Sequence, residues 1–153
     1  MPRTVQLSLP SCDWLRVEEK SLVSTVDILD AWPDYSLPPG ELSVAFLSHA
    51  EMAAVHGRFL NDQTPTDVIT FPGDAEMDFA GEICVGVEQA REVAPEHAKS
   101  LAEEITLYLV HGWLHLAGLD DRSDEDQLQM RLAEAQTLAY LSKMSATLPV
   151  ELL

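Results

Sequence analysis

Apolar and polar positions alternate over residues 4–9, which predicts a first strand. Leu15, Leu22, Val26 and Leu29 then recur near helical spacing, predicting a helix over residues 13–31 that Trp32-Pro33 and Pro38-Pro39-Gly40 bring to an end. Residues 42–47 are apolar, contain Val and Phe, and read as a second strand. Ser48 followed by Glu51 matches a capping box, so a helix is expected from there to Leu60. Turn chemistry over residues 61–66 leads into a third strand at 68–71, closed by Pro72-Gly73. An acidic loop carries Asp74, Glu76 and Asp78, and a fourth strand over 81–87 alternates Ile83, Val85 and Val87 against Cys84 and Gly86. Residues 88–94 look helical, Pro95 restarts the chain, and a long helix is expected to reach Ala117, with Gly118 as its stop. Ser123 with Asp126 caps a last helix ending near Met144. Strands and helices interleave, so one α+β or mixed-sheet domain over residues 1–153 is expected.

Composition changes this picture at one point. With 46% hydrophobic residues a packed core is available, but 26 Asp plus Glu face only 9 Lys plus Arg, a net charge of −17. So lopsided a balance excludes a broad basic surface for gripping nucleic acid, though not a local positive focus or a bound cation. Cys12 and Cys84 have no CxxC spacing and imply no disulfide framework. No run approaches the roughly 20 apolar residues of a membrane helix, and Met1-Pro2-Arg3-Thr4-Val5 does not open a signal peptide. A cytoplasmic protein without a membrane partner is expected.

The chemistry concentrates in His111-Gly112-Trp113-Leu114-His115-Leu116-Ala117-Gly118-Leu119-Asp120-Asp121. Histidines four apart lie about 40° apart around a helix and about 6 Å along it, so both imidazoles can converge on one ion. Gly118 allows the chain to turn, and Asp121, six residues after His115, stands where a third ligand would return. This is the spacing of HExxHxxGxxH zinc sites with Asp in the last place. The plainer alternative is a pair of satisfied histidines on an amphipathic helix. Gly112 occupies the place of a peptidase's glutamate base and cannot move a proton. His49, His56 and His97 have no comparable partners and are assigned no ligand role.

The wider pattern resembles the YbeY family, metal-dependent endoribonucleases tied to ribosomal RNA maturation. Their signature HGxLHLxGxDH is met here by HGWLHLAGLDD. A second family block, PTDVLSFP, is matched by PTDVITFP from Pro65 to Pro72, and a third by Gly81-Glu82-Ile83. The blocks keep family order across residues 42–138. The resemblance implies a compact α+β fold, a four-stranded mixed sheet packed by about five helices, with the metal on a central helix. It implies a single divalent ion held by His111, His115 and Asp121, zinc being expected. The family's third ligand is usually His. Aspartate there still leaves an open position, but it cancels part of the ion's charge and should give more tolerance of harder ions such as manganese or iron than three histidines would.

Many family members carry an arginine where this chain has Leu60. Arg122, or else Arg58, is the expected replacement for clamping phosphate. Asp120 is expected to orient a ligating histidine or take a proton, and Asp67 to face the site; turn hydrogen bonds would explain either residue equally well. Trp14 and Trp113 could stack on bases, with core packing favoured for Trp113. The expected reaction is metal-assisted phosphodiester cleavage, by water or by the 2′-hydroxyl. The expected partners are a ribosomal RNA precursor and proteins of the small ribosomal subunit. Two other readings remain: a ribosome-associated adaptor whose structural metal is closed by Cys84, and a peptidase-like hydrolase.

Overall fold

A computed structural model describes residues 3–9, 12–60 and 66–153, without the side chains of residues 59 and 60. The turn expected over residues 61–66 therefore lies outside the described residues except for Thr66, as does the Leu60 side chain.

Strand β1 (Val5–Ser8) pairs in parallel with β3 (Glu41–Leu47), which pairs in parallel with β5 (Phe79–Gly86). An antiparallel edge strand, β4 (Val68–Asp74), completes a mixed sheet of order β1-β3-β5-β4. Alternation along β3 and β5 sorts side chains between two faces. Leu42, Val44, Phe46, Ile83 and Val85 join the larger core, with helices α1 (Glu19–Asp30), α4 (Leu101–Leu116) and α5 (Asp124–Lys143). Ala45, Leu47, Ile69 and Cys84 point the other way, onto Met52 of α2 (His49–Leu60). Helix α3 (Val87–Val93) follows β5 directly.

Several elements differ from their sequence-based prediction, each for a physical reason. The first helix starts at Glu19, because Leu15 and Arg16 form a short strand, β2, against Leu152 and Glu151 of β6 (Glu151–Leu152). β4 runs through Pro72-Gly73 to Asp74: on an edge strand a proline's missing N–H costs no ladder bond. The acidic loop shrinks to a 3-10 turn (Ala75–Met77), and β5 begins at Phe79. The long helix is divided. A 3-10 turn holds Ala94–His97, Ala98 takes a left-handed conformation (φ 54°), and α4 starts behind Ser100. The Ser100 hydroxyl accepts from Glu103 N–H at 3.1 Å and the Glu103 carboxylate accepts from Ser100 N–H at 2.9 Å, a complete capping box. The boxes expected at Ser48 and Glu51 and the cap at Ser123 both form.

Candidate metal centre

α4 lies across β4 and β5 unusually closely at Gly112. A Cβ there would come within 2.6 Å of Ile83 Cγ2 and 3.1 Å of Val68 Cγ1. This contact sets the roll of the helix: Gly112 and the fully buried Trp113 face the core, leaving His111 and His115 at its edge with about a quarter of each side chain exposed. The helix then ends in a Schellman turn. Gly118 N–H donates to His115 O at 3.0 Å and Leu119 N–H to Leu114 O at 3.0 Å, with Gly118 at φ 110°. That turn returns Asp121 to the two imidazoles, where Gln127 Nε2 of α5 donates to the Asp121 carbonyl at 3.1 Å.

The Nε2 atoms of His111 and His115 lie 3.1 Å apart, and Asp121 Oδ2 is 3.6 Å and 3.4 Å from them. Three donors at these separations surround a point about 2 Å from each, the bond length of zinc to nitrogen or carboxylate oxygen. One ligand atom from each of the three residues falls within 4.8 Å of the others, and among the described residues no other such group of three forms. The donor set therefore fits a divalent ion.

Glu134, on α5, completes the arrangement and was not foreseen from the sequence. His111 Nδ1–H donates to Glu134 Oε2 at 2.5 Å, which fixes the tautomer and leaves Nε2 free as a ligand. Burial opposes the charged form of His111. The hydrogen bond and charge of Glu134, with the charges of Asp67 and Asp121, outweigh it and raise the imidazole above its ordinary value.

A cavity of about 420 Å³ opens beside this group, bordered by His111, Asp121, Asp67, Arg131, Glu104 and His97 among others. Asp67 is thus brought to the site. Its carbonyl is held by Gly86 N–H at 2.7 Å, and its Oδ1 accepts from Val68 N–H at 2.8 Å. Asp120 and Arg122 sit otherwise. Asp120 accepts from Asp121 N–H at 2.8 Å and pairs with the Arg122 guanidinium at 3.3 Å, and the Arg122 side chain is 87% exposed. Among the described residues the cation bordering the cavity is Arg131, one helical turn before Glu134. Only that helical spacing, read together with Glu134, would have pointed to it.

Cys84 is buried on the opposite face of the sheet from α4 and stands outside the ligand group. Trp113 is packed in the core, while Trp14 carries the Arg91 guanidinium 4.1 Å from its ring centre. Neither ring is presented as a bare stacking platform. Among the described residues no helix is long and apolar enough to cross a membrane.

These features agree with what the chain is similar to. The family model described as Endoribonuclease YbeY matches residues 14–142. A protein named Endoribonuclease YbeY from Protochlamydia amoebophila is 41% identical over 108 residues, covering 68% of this chain and 72% of the relative. Its namesake from Sinorhizobium fredii is 31% identical over 151 residues, covering 90% and 87%. The solution structure of TM1509 from Thermotoga maritima shares the fold, with a TM-score of 0.61 and 24% identity over 94% of this chain and 93% of that one. The chain belongs to the YbeY family.

Proposed function

We propose that this protein is a metal-dependent, single-strand endoribonuclease acting in ribosomal RNA maturation and ribosome quality control. The observation that carries the reading is the convergence of His111, His115 and Asp121 at the edge of an open cavity, in a chain whose curated relatives are named endoribonucleases. These three residues would hold one divalent ion, zinc by the pair of imidazoles and the spacing of the donors, with three protein ligands and an open position. When bound, the ion lowers the pKa of water and offsets charge developing on a phosphoryl group.

The remaining work falls to side chains of this chain. Glu134 keeps His111 in its ligating tautomer. Asp67 borders the cavity as an acceptor and suits the removal of a proton from the attacking hydroxyl, whether water or the ribose 2′-hydroxyl. Asp120 braces the ligand loop through Asp121 N–H and holds Arg122 at its rim. Arg122, in place of a family arginine at Leu60, would meet the RNA backbone outside the cavity, and Arg131 would meet it inside. With a net charge of −17 the protein is expected to rely on small ribosomal subunit proteins to present the strand, in the cytoplasm.

The test is metal analysis together with cleavage of single-stranded RNA by the parent and by His115→Ala. The parent should hold one ion per chain and cleave; the variant should lose both properties. Equal cleavage by the two proteins would remove the assigned site. An adaptor closed by Cys84 gains no support from a thiol on the far side of the sheet.

A further inference from the structure

The cavity has a second chemical end. Glu104 is fully buried on α4, on the same helical face as His111 and seven residues before it, which places the two about 10 Å apart along the axis. A buried carboxylate needs a partner, and Glu104 has one in His97. His97 Nδ1–H donates to its oxygens at 3.0 Å and 3.1 Å, and Tyr108, whose titration burial and the Glu104 charge push up, borders the same cavity. His97 itself ends the 3-10 turn before α4, and half of its side chain is exposed. A carboxylate on Nδ1 orients the ring and leaves Nε2 as the working nitrogen, as in hydrolases whose histidine is steered by a buried acid.

Phosphodiester cleavage needs a proton for the departing oxygen, delivered from the side of the phosphate opposite the attacking oxygen. The other polar groups bordering the cavity are unsuited. His111 and Asp121 are ligands, and Glu134 is committed to His111. Asp67 acts as an acceptor, burial and the Glu104 charge make the Tyr108 hydroxyl hold its proton, the Gln89 amide does not titrate, and a guanidinium does not release its proton near neutrality. Histidine does. His97 and His111 border the same cavity, so one bound strand can meet both ends.

We propose that His97, oriented by Glu104, is the general acid that protonates the leaving oxygen of the RNA. This rests on the endoribonuclease reading above. As the attacking oxygen bonds to phosphorus, the bond from phosphorus to the leaving ribose oxygen breaks. The proton on His97 Nε2 passes to that oxygen. The nucleophile's proton leaves on the opposite side to Asp67 or solvent, and solvent reprotonates His97.

The experiment compares parent and His97→Gln on two single-stranded RNAs, one ordinary and one with sulfur in place of the leaving oxygen, a group that departs without a proton. On ordinary RNA the variant should lose about 100-fold or more in kcat with KM little changed, and on the sulfur-linked RNA it should approach the parent. Equal losses on both substrates, no loss, or a loss confined to KM would overturn the role of His97 while leaving the nuclease reading intact. Failure of the parent to cleave either RNA would overturn both. A readout independent of turnover comes from imidazole nitrogen NMR of the metal-free protein. The neutral His97 ring should carry its proton on Nδ1, facing Glu104, and a proton resident on Nε2 would overturn the dyad.

Discussion

Glu134 would govern the proposed metal centre without touching an ion, because the proton it draws onto His111 Nδ1 decides which nitrogen is left for coordination. Replacing it with Gln should weaken zinc uptake by about 10–100-fold with little change in fold, as measured by equilibrium dialysis. The two cysteines make a contrasting prediction. Burial, reinforced by acidic neighbours, raises Cys12 from 9.0 to about 11 and Cys84 from 9.0 to about 12. Between pH 9 and these values the unfolded chain releases thiol protons that the folded chain keeps, so stability falls as pH rises through that window. Urea midpoints at pH 8 and pH 10.5 should show a smaller loss in Cys84→Ala than in the parent. At this scale the sequence pointed to His111, His115 and Asp121 as a group, and one helix and its turn do bring them together. It was silent on Glu134, 23 residues from His111, because that bond exists only once α5 packs on α4.

Helix α4 is the element that converts fold into site. Its capping box holds the end from which Glu104 projects, so Ser100→Ala should cost about 1 kcal/mol in urea unfolding. Its close seat on the sheet is less forgiving. Gly112→Glu would force a charged side chain into the space held by Ile83 and Val68, and is expected to cost about 3 kcal/mol or more without creating peptidase activity. Differential scanning calorimetry and a peptide hydrolysis assay check the two halves of that statement. Caps and turns at Ser48, Gly118 and Ser123 were legible because each is a local contest between a side chain and nearby backbone groups. The start of α4 was obscured by Pro95, which reads as a helix start but sits inside a 3-10 turn. The β2–β6 pair could not be read, since Leu15 owes its strand conformation to residues at the far end of the chain.

Across the whole molecule the excess of acid should reverse the usual salt response of RNA binding. Proteins that neutralise phosphates lose affinity as salt rises. Here added salt screens repulsion between a −17 chain and the strand, so KM for naked single-stranded RNA should fall or hold steady between 50 and 200 mM monovalent salt, in steady-state cleavage assays. A steep rise would mean that direct phosphate contacts, by Arg131 and Arg122, dominate instead. Alternation along the strands and the βα order made the layered arrangement readable, whereas the cavity running from His111 to His97 arises where separate elements meet.

The contact at Gly112 also bears on what this fold can become. Two histidines four apart stand one substitution from the zinc peptidase pattern, and on paper the step is small. The helix rests so tightly on Ile83 and Val68 that the intervening position admits a side chain only if these neighbours give way. A lineage leading to peptide hydrolysis would have to trim Ile83 as well or lift α4 off the sheet, and lifting it would carry His111 and His115 away from Asp121 and Glu134. Packing, more than the identity of the ligands, keeps the neighbouring chemistry out of evolutionary reach.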